Sequence, residues 1–224
     1  EISRCDWSSD VCSSDLIGIY SESDMADSNV PKRPGTMAGD IKIWDANGDG
    51  EINSLDRIRQ DLTDIPQIVY GVNLGITWKQ FDLSLLFQGQ AKVINTIQET
   101  WVDPSSGGAG NLMQWWTEDM WTPENTDGTK PRLGTPNKIN GTTFTNINAA
   151  FFKLKNAEIG YTLPVAVREK IGVANARVYL SGTNLFSFDH MRGMGIDPEA
   201  TGSGYGGWAL NPQRLINLGV NVSF

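Results

Sequence analysis

The stretch Arg214-Leu-Ile-Asn-Leu-Gly-Val-Asn-Val-Ser-Phe224 decides the fold class. Ile216, Leu218, Val220, Val222 and Phe224 fall on one face of an extended strand, and Asn217, Gly219, Asn221 and Ser223 on the other. Successive side chains of a strand point to opposite faces, so this is period-two patterning without a break. A half-buried strand of a soluble sandwich alternates in the same way. The unbroken apolar face, the length of about ten residues and the aromatic last residue suit instead a strand of a membrane-spanning β-barrel, in which lipid-facing and lumen-facing residues alternate.

Working backwards, the same pattern recurs. Ile68, Tyr70, Val72, Leu74, Ile76 and Trp78 alternate with Val69, Gly71, Asn73, Gly75 and Thr77. Lys79 and Gln80 then separate this run from Phe81–Gln88, where Phe81, Leu83, Leu85 and Phe87 share a face. The pair reads as a tight hairpin with Trp78 and Phe81 at its base, where a membrane interface places aromatics. A third strand is expected over about 150–163, with Ala157, Ile159, Tyr161 and Leu163 outward. A fourth is expected over about 176–186, after a short connection through 164–172, and the quoted stretch is the fifth. The connections on one side, Lys79–Gln80 and 164–172, are short. Those on the other, about 90–148, 187–211 and the segment before Pro66, are long. Outer-membrane barrels sort their loops this way, with short periplasmic turns and long extracellular loops, and a soluble sandwich has no reason to. The expectation is an all-β chain: about five C-terminal strands of a larger transmembrane antiparallel β-barrel, residues 66–224, with long extracellular loops.

Composition fits. Mean hydropathy is −0.30, and no apolar run approaches the ~18 residues of a membrane helix, but barrel strands dilute each apolar residue with a polar one. Net charge is −8, with no basic stripe to neutralise phosphates, which argues against nucleic acid. Residues 1–16 lack periodicity, and Asp6-Trp-Ser-Ser-Asp-Val-Cys-Ser-Ser-Asp-Leu16 resembles the read-through translation of a sequencing adapter. They are set aside, and neither a disulfide nor a metal site is expected of Cys5 and Cys12.

Residues 17–65 read as an extracellular loop carrying Asp45-Ala-Asn47-Gly-Asp49-Gly50-Glu51-Ile52-Asn53-Ser-Leu-Asp56. This has EF-hand-like spacing: oxygen side chains at Asp45, Asn47 and Asp49, glycine at Gly50, a backbone carbonyl from Glu51, Asn53 acting directly or through water, and an acid at Asp56. Calcium takes about six to eight hard oxygens, and the glycine permits the turn that gathers them. Asp56 stands where a longer Glu normally binds with both oxygens, so binding in the weak, extracellular range is expected. The alternative is an Asx-rich turn whose carboxylates are solvated. Trp101, Trp115, Trp116 and Trp121 concentrate in the 90–148 loop as candidate ligand- or partner-binding aromatics, or as a mini-core that keeps a long loop folded; the second reading is favoured. His190 is the single histidine and has no fixed partner, and no catalytic constellation is present, so an enzyme is not expected.

In their joint order, Gly39-Asp-Ile-Lys42, the Asp45–Asp56 loop, Tyr70-Gly71, Phe81-Asp82-Leu83-Ser84 and Phe87-Gln88-Gly89 resemble SusC/RagA-type TonB-linked outer-membrane proteins of Bacteroidetes. So do Trp121-Thr-Pro-Glu-Asn125, Leu154-Lys-Asn156, Gly160-Tyr-Thr-Leu-Pro164, Asn184-Leu-Phe186, Asp197-Pro-Glu199 and the closing strand. The resemblance covers about residues 17–224 and implies a plugged barrel of roughly 22 strands in the bacterial outer membrane. Such a barrel imports oligosaccharides or peptides, works with a SusD-like surface lipoprotein, is energised through TonB and is surrounded by outer-membrane lipid. It also implies that Phe224, with Val222 and Val220, serves as a signal for the barrel-assembly machinery. Five strands cannot close a barrel, so the chain is expected to be a C-terminal fragment that aggregates when expressed alone. The rival reading is a soluble extracellular β binding module stabilised by calcium.

Overall fold

A computed structural model of the chain describes residues 12–97, 114–134, 141–199 and 212–224. Its centre is one antiparallel sheet of five strands in the order β11-β10-β9-β6-β5. These strands are β5 (Ile68–Trp78), β6 (Phe81–Ala91), β9 (Phe151–Thr162), β10 (Asn175–Asp189) and β11 (Leu215–Ser223). Each strand pairs with the next long one in the chain, so the sheet is a meander, as the alternation and the Lys79–Gln80 turn predict. Rows of partners run across the strands: Leu74 lies opposite Leu85, Leu85 opposite Ala157, and Ala157 opposite Gly182.

That register puts the apolar residues of all five strands on one face. Val72, Leu74 and Ile76 of β5, Leu83 and Leu85 of β6, Ile159 of β9, Leu180 of β10 and Ile216, Leu218 and Val220 of β11 belong to it. Most are exposed: Leu218 at 76% and Leu74 at 47%. A sheet folded around its own core would bury this face; here it is left uncovered. Two irregularities break the strict alternation. The register slips between Leu86 and Phe87 against β9 and between Thr183 and Phe186 in β10. Asn184 takes a left-handed conformation there, φ 52°. These are β-bulges, which add a residue to one strand and re-aim the side chains beyond it. Phe152 and Leu154 therefore join Ala157 and Ile159 on the apolar face, which strict alternation would forbid.

The connections divide by end. At one end lie the Lys79–Gln80 turn and the link from β9 to β10. Sequence reasoning expects a short connection in that link; the structure builds a helix, α3 (Val165–Ile171), entered from Pro164 and closed by Gly172 in the left-handed conformation, φ 68° and ψ 34°. At the other end lie all the small elements. β1 (Cys12–Ser14) pairs with β4 (Arg57–Arg59), β2 (Leu16–Ile19) with β3 (Ile41–Ile43), and β7 (Ile94–Thr96) with β8 (Asn146–Asn148). Two short helices, α1 (Glu22–Ala26) and α2 (Gln114–Thr117), complete that end. Residues 12–16, set aside on sequence grounds, are paired in β1 and β2, and Cys12 is disulfide-bonded, against the expectation of no disulfide. Composition alone could not reveal pairing partners about 45 residues away at Arg57–Arg59.

The buried core sits in this loop region, not under the sheet. Ile41, Ile97 and Trp116 form its centre, with Leu16, Ile19, Trp115, Met120, Phe144, Ile147, Met194 and Ile196 packed around them. Segments far apart in sequence thus share one small hydrophobic cluster.

Candidate functional site

Three features of this architecture bear on function: the two faces of the sheet, the loop core, and the acidic loop. The apolar face is bounded by aromatics at both ends. Trp78 pairs with Phe81, and Phe81 with Tyr161, whose ring centroid is 4.7 Å away. At the loop end, Tyr70, Phe152 and Phe188 occupy one cross-strand row, with Phe87 stacked on Phe152 at 5.4 Å and 2°. Eight residues separate Tyr70 from Trp78, roughly 26 Å along a strand. At a barrel tilt of about 40° that is roughly 20 Å of height, close to the ~25 Å apolar band of barrel proteins between its aromatic girdles.

The opposite face is mostly polar. Arg177 of β10 reaches across β9 to Asp82 of β6, donating through Nε at 3.0 Å and through Nη2, and Nη2 also donates to Glu158 at 2.7 Å. Its guanidinium lies directly over Gly160, where any Cβ would collide with it. The Tyr179 ring lies over Gly219 in the same way, and Arg177 stands 5.2 Å from that ring. One arginine thus ties three strands together because a glycine leaves the space. Gly160→Val should force Arg177 off this path and destabilise the sheet by about 1–3 kcal/mol, the usual cost of overpacking; an unchanged urea midpoint for the refolded full-length protein would contradict it.

At the loop end, Lys153 of β9 is buried and donates to both oxygens of Asp197, at 2.5 and 2.7 Å, and to Glu199 at 2.8 Å. Lys155 donates to both oxygens of Glu199 at 2.9 and 2.7 Å. Burial pushes the Glu199 carboxyl up, but the two ammonium groups outweigh it and hold the group below its ordinary range. The Asp197-Pro-Glu199 motif is therefore a tether that holds the end of its loop to the wall of the sheet. Sequence reading quotes the motif without a role, and no periodicity could have supplied one.

Of the candidate tryptophans, Trp116 is fully buried, edge-on to Phe144 at 5.2 Å and Trp115 at 5.7 Å. Trp121 is 8% exposed and packs on Gly39. These residues hold the loops together, so the exposed ring that ligand stacking needs is absent at Trp116 and Trp121. Trp115 is half-buried against the same core, and Trp101 lies outside the described residues.

The acidic loop is a tight series of Asx turns. Asp45 accepts from the Gly48 and Gly50 amides at 2.7 and 2.8 Å, Asn47 from the Asp49 amide at 3.0 Å, and Asp49 from the Glu51 amide at 2.8 Å. The Glu51 amide, then the Asn47 side chain, hold the Asp49 carboxyl below its ordinary range. Gly50 needs its left-handed conformation, φ 83°, as loop position six requires. Asp56 is buried and closes the loop, accepting from Ala46 at 3.0 Å and Asn53 at 2.7 Å. Asn53 in turn accepts from the Leu55 amide at 2.8 Å. Ile52 is buried beside Tyr20, Ile41 and Ile43, which anchors the loop to apolar neighbours. Among the described residues no three His, Cys, Asp or Glu side chains are grouped as a metal cage. The oxygen set here is mixed, and each carboxylate or amide oxygen has a second lone pair beyond its amide bond. That set fits a hard cation at Asp45, Asn47, Asp49 and the Glu51 carbonyl better than at Asp56, whose two oxygens already bridge the loop ends.

His190 lines an open cleft with Tyr70, Phe152 and Phe188 at the loop end of the sheet. Val220 and Val222 are exposed on the apolar face of β11, and Phe224 just beyond it is 96% exposed. Among the described residues no helix is long and apolar enough to cross a membrane.

No family model matches the chain. Its sequence is 29% identical over 223 residues to TonB-dependent receptor P26 of Formosa agariphila, covering 93% of the chain and 22% of that protein. It is 30% identical over 220 residues to TonB-dependent receptor P3 of the same organism, covering 88% of the chain and 20% of that protein. Among solved structures, the RagAB peptide importer in its open-open state superposes with a TM-score of 0.66 at 23% identity, over 95% of this chain and 22% of that one. The closed-closed state gives 0.64 at 24% identity, over 95% and 23%. At that identity the RagAB likeness speaks for the fold. The chain spans about a fifth of the length of the curated relatives it matches. By sequence the chain is similar to TonB-dependent receptors, and by fold to a stretch of the RagAB importer, in keeping with the SusC/RagA-type motifs it carries.

Proposed function

We propose that this chain is part of the wall and outer loops of a TonB-dependent importer in the bacterial outer membrane. The importer takes up oligosaccharides or peptides and acts with a SusD-like surface lipoprotein, and the chain has no catalytic role. The observation that carries the reading is the exposed apolar face running across all five strands between two aromatic rows. In lipid such a face is satisfied, and in water it is an aggregation surface. The sequence relatives are TonB-dependent receptors and the fold neighbour is a peptide importer, which supports uptake as the activity and a peptide as one of the two substrate classes. Deleting the complete gene should abolish growth on one class of oligomer, glycan or peptide, and affinity-tagged receptor should co-purify a surface lipoprotein. Unchanged growth on both classes would overturn the reading.

The Asp45–Asp56 loop is proposed to hold calcium on the extracellular side, through Asp45, Asn47, Asp49, the Glu51 carbonyl and Asn53, with Asp56 keeping the loop closed. In calorimetry on refolded full-length receptor, Asp45→Ala and Asp49→Ala should each weaken calcium binding at least tenfold; unaltered binding in both refutes the site. Val220, Val222 and Phe224, on or beside the outward face of β11, are proposed as the element read by the barrel-assembly machinery. Removing Phe224 should reduce outer-membrane levels several-fold while the inserted fraction still binds ligand. Normal surface levels would contradict that role.

A further inference from the structure

The turn end of the sheet differs from the loop end in charge as well as in size. Its connections carry Lys79, Arg168 and Lys170 against a single acid, Glu169. The other charged groups near it, Asp82, Glu158 and Arg177, are engaged with one another on the polar face. The Lys79 ammonium lies over the Trp78 ring, 4.8 Å from its centroid. Trp78 is 64% exposed and stands at the outer edge of the row it forms with Phe81 and Tyr161. Lys79 also adopts a left-handed backbone, φ 56°, a conformation in which glycine or asparagine is the cheaper residue. Lys92 at the loop end shares this conformation, φ 53°, so what sets Lys79 apart is the Trp78 ring beneath its ammonium.

The neighbouring connection has the same character. The Gln80 carbonyl accepts from Thr162 at 2.8 Å, which sets the turn beside the start of α3. On that helix Val165, Val167 and Ile171 are exposed, and Lys170 is exposed with them. A short helix with bare aliphatics and basic side chains, next to an aromatic row that ends an apolar face, has the composition of an interfacial segment. Lysines at such a level keep their stems on apolar surface and their charge among headgroups.

We infer that the turn end is a docking surface for anionic phospholipid headgroups of the inner leaflet, with Lys79 and Lys170 as the phosphate contacts and Trp78, Phe81 and Tyr161 seating the acyl chains. This rests on the outer-membrane reading above, which separate measurements distinguish: membrane flotation tests the location, lipid retention tests the surface. Purified full-length receptor is exposed to mixed micelles holding phosphatidylglycerol or phosphatidylcholine, and retained lipid is counted by native mass spectrometry. Wild type should retain phosphatidylglycerol preferentially. Lys79→Gln and Lys170→Gln should each lower that retention about fivefold, as expected for one cation near an anionic surface. Lys92→Gln, an exposed lysine at the loop end, should leave it unchanged. Equal retention of both lipids by wild type, or an equal loss in Lys92→Gln, would overturn the inference even if the receptor floats with the outer membrane.

Discussion

Leu74→Arg should destabilise the full-length receptor in lipid by about 2–4 kcal/mol, the cost of a guanidinium at mid-depth on a lipid-facing wall. Asn73→Arg, one residue away, should change stability little. Leu74 lies in a cross-strand row with Leu85, Ala157, Gly182 and Ile216, midway between the two aromatic rows. An arginine there has no polar partner within the band and must draw water or headgroups inward. Asn73 points to the face that also carries Asp82, Ser84 and Arg177, where a new cation remains hydrated. Urea titration of both variants in phospholipid vesicles reads the difference; equal effects would mean that the two faces do not meet different solvents.

Trp116→Ala is expected to have a comparable effect in a different place. The side chain is fully buried at the centre of the loop core, against Ile41, Ile97, Trp115 and Phe144. Truncating a buried tryptophan costs about 3–5 kcal/mol in lost transfer energy and cavity. Because this core does not underlie the five-strand sheet, the loss should be local. Hydrogen exchange should accelerate across β2, β3, β7 and β8 while β5, β6 and β9 keep their protection. Unchanged exchange in the small strands would show that Trp116 does not hold the loops together.

The strands were legible because their signal is local. Period-two alternation marks β5 and β11 to within a residue or two and β6 to within three, and the two-residue gap at Lys79–Gln80 fixes the hairpin and its register. The sorting of connections by side follows from strand direction alone. Alternation fails where a bulge intervenes: Phe152 and Leu154 face outward only because the ladder slips beside them. Leu163, expected outward, lies just past the end of β9. Helix α3 was missed because seven residues give too short a window for a 3.6-residue period, though Pro164 before it and Gly172 after it are ordinary helix boundaries.

The loop end was harder to read. Its small sheets and the Lys153–Asp197–Glu199 tether, like the Arg177–Gly160–Asp82 arrangement near the turn end, join residues from 17 to 95 positions apart, and no local pattern encodes such partners. The tryptophan-rich segment illustrates the difference. Sequence marks it as functional or structural; only burial separates the two, and for Trp116 and Trp121 it selects structure.

The most direct test places nitroxide labels, one at a time, at Asn73, Leu74, Asn217 and Leu218 of the full-length receptor in lipid vesicles. Accessibility to oxygen, which concentrates in hydrocarbon, is then compared with accessibility to a water-soluble nickel chelate. Labels at Leu74 and Leu218 should favour oxygen and those at Asn73 and Asn217 should not, alternating residue by residue on strands at both edges of the sheet. Water-like accessibility at all four positions would contradict the claim that this apolar face is the lipid-facing wall of a barrel.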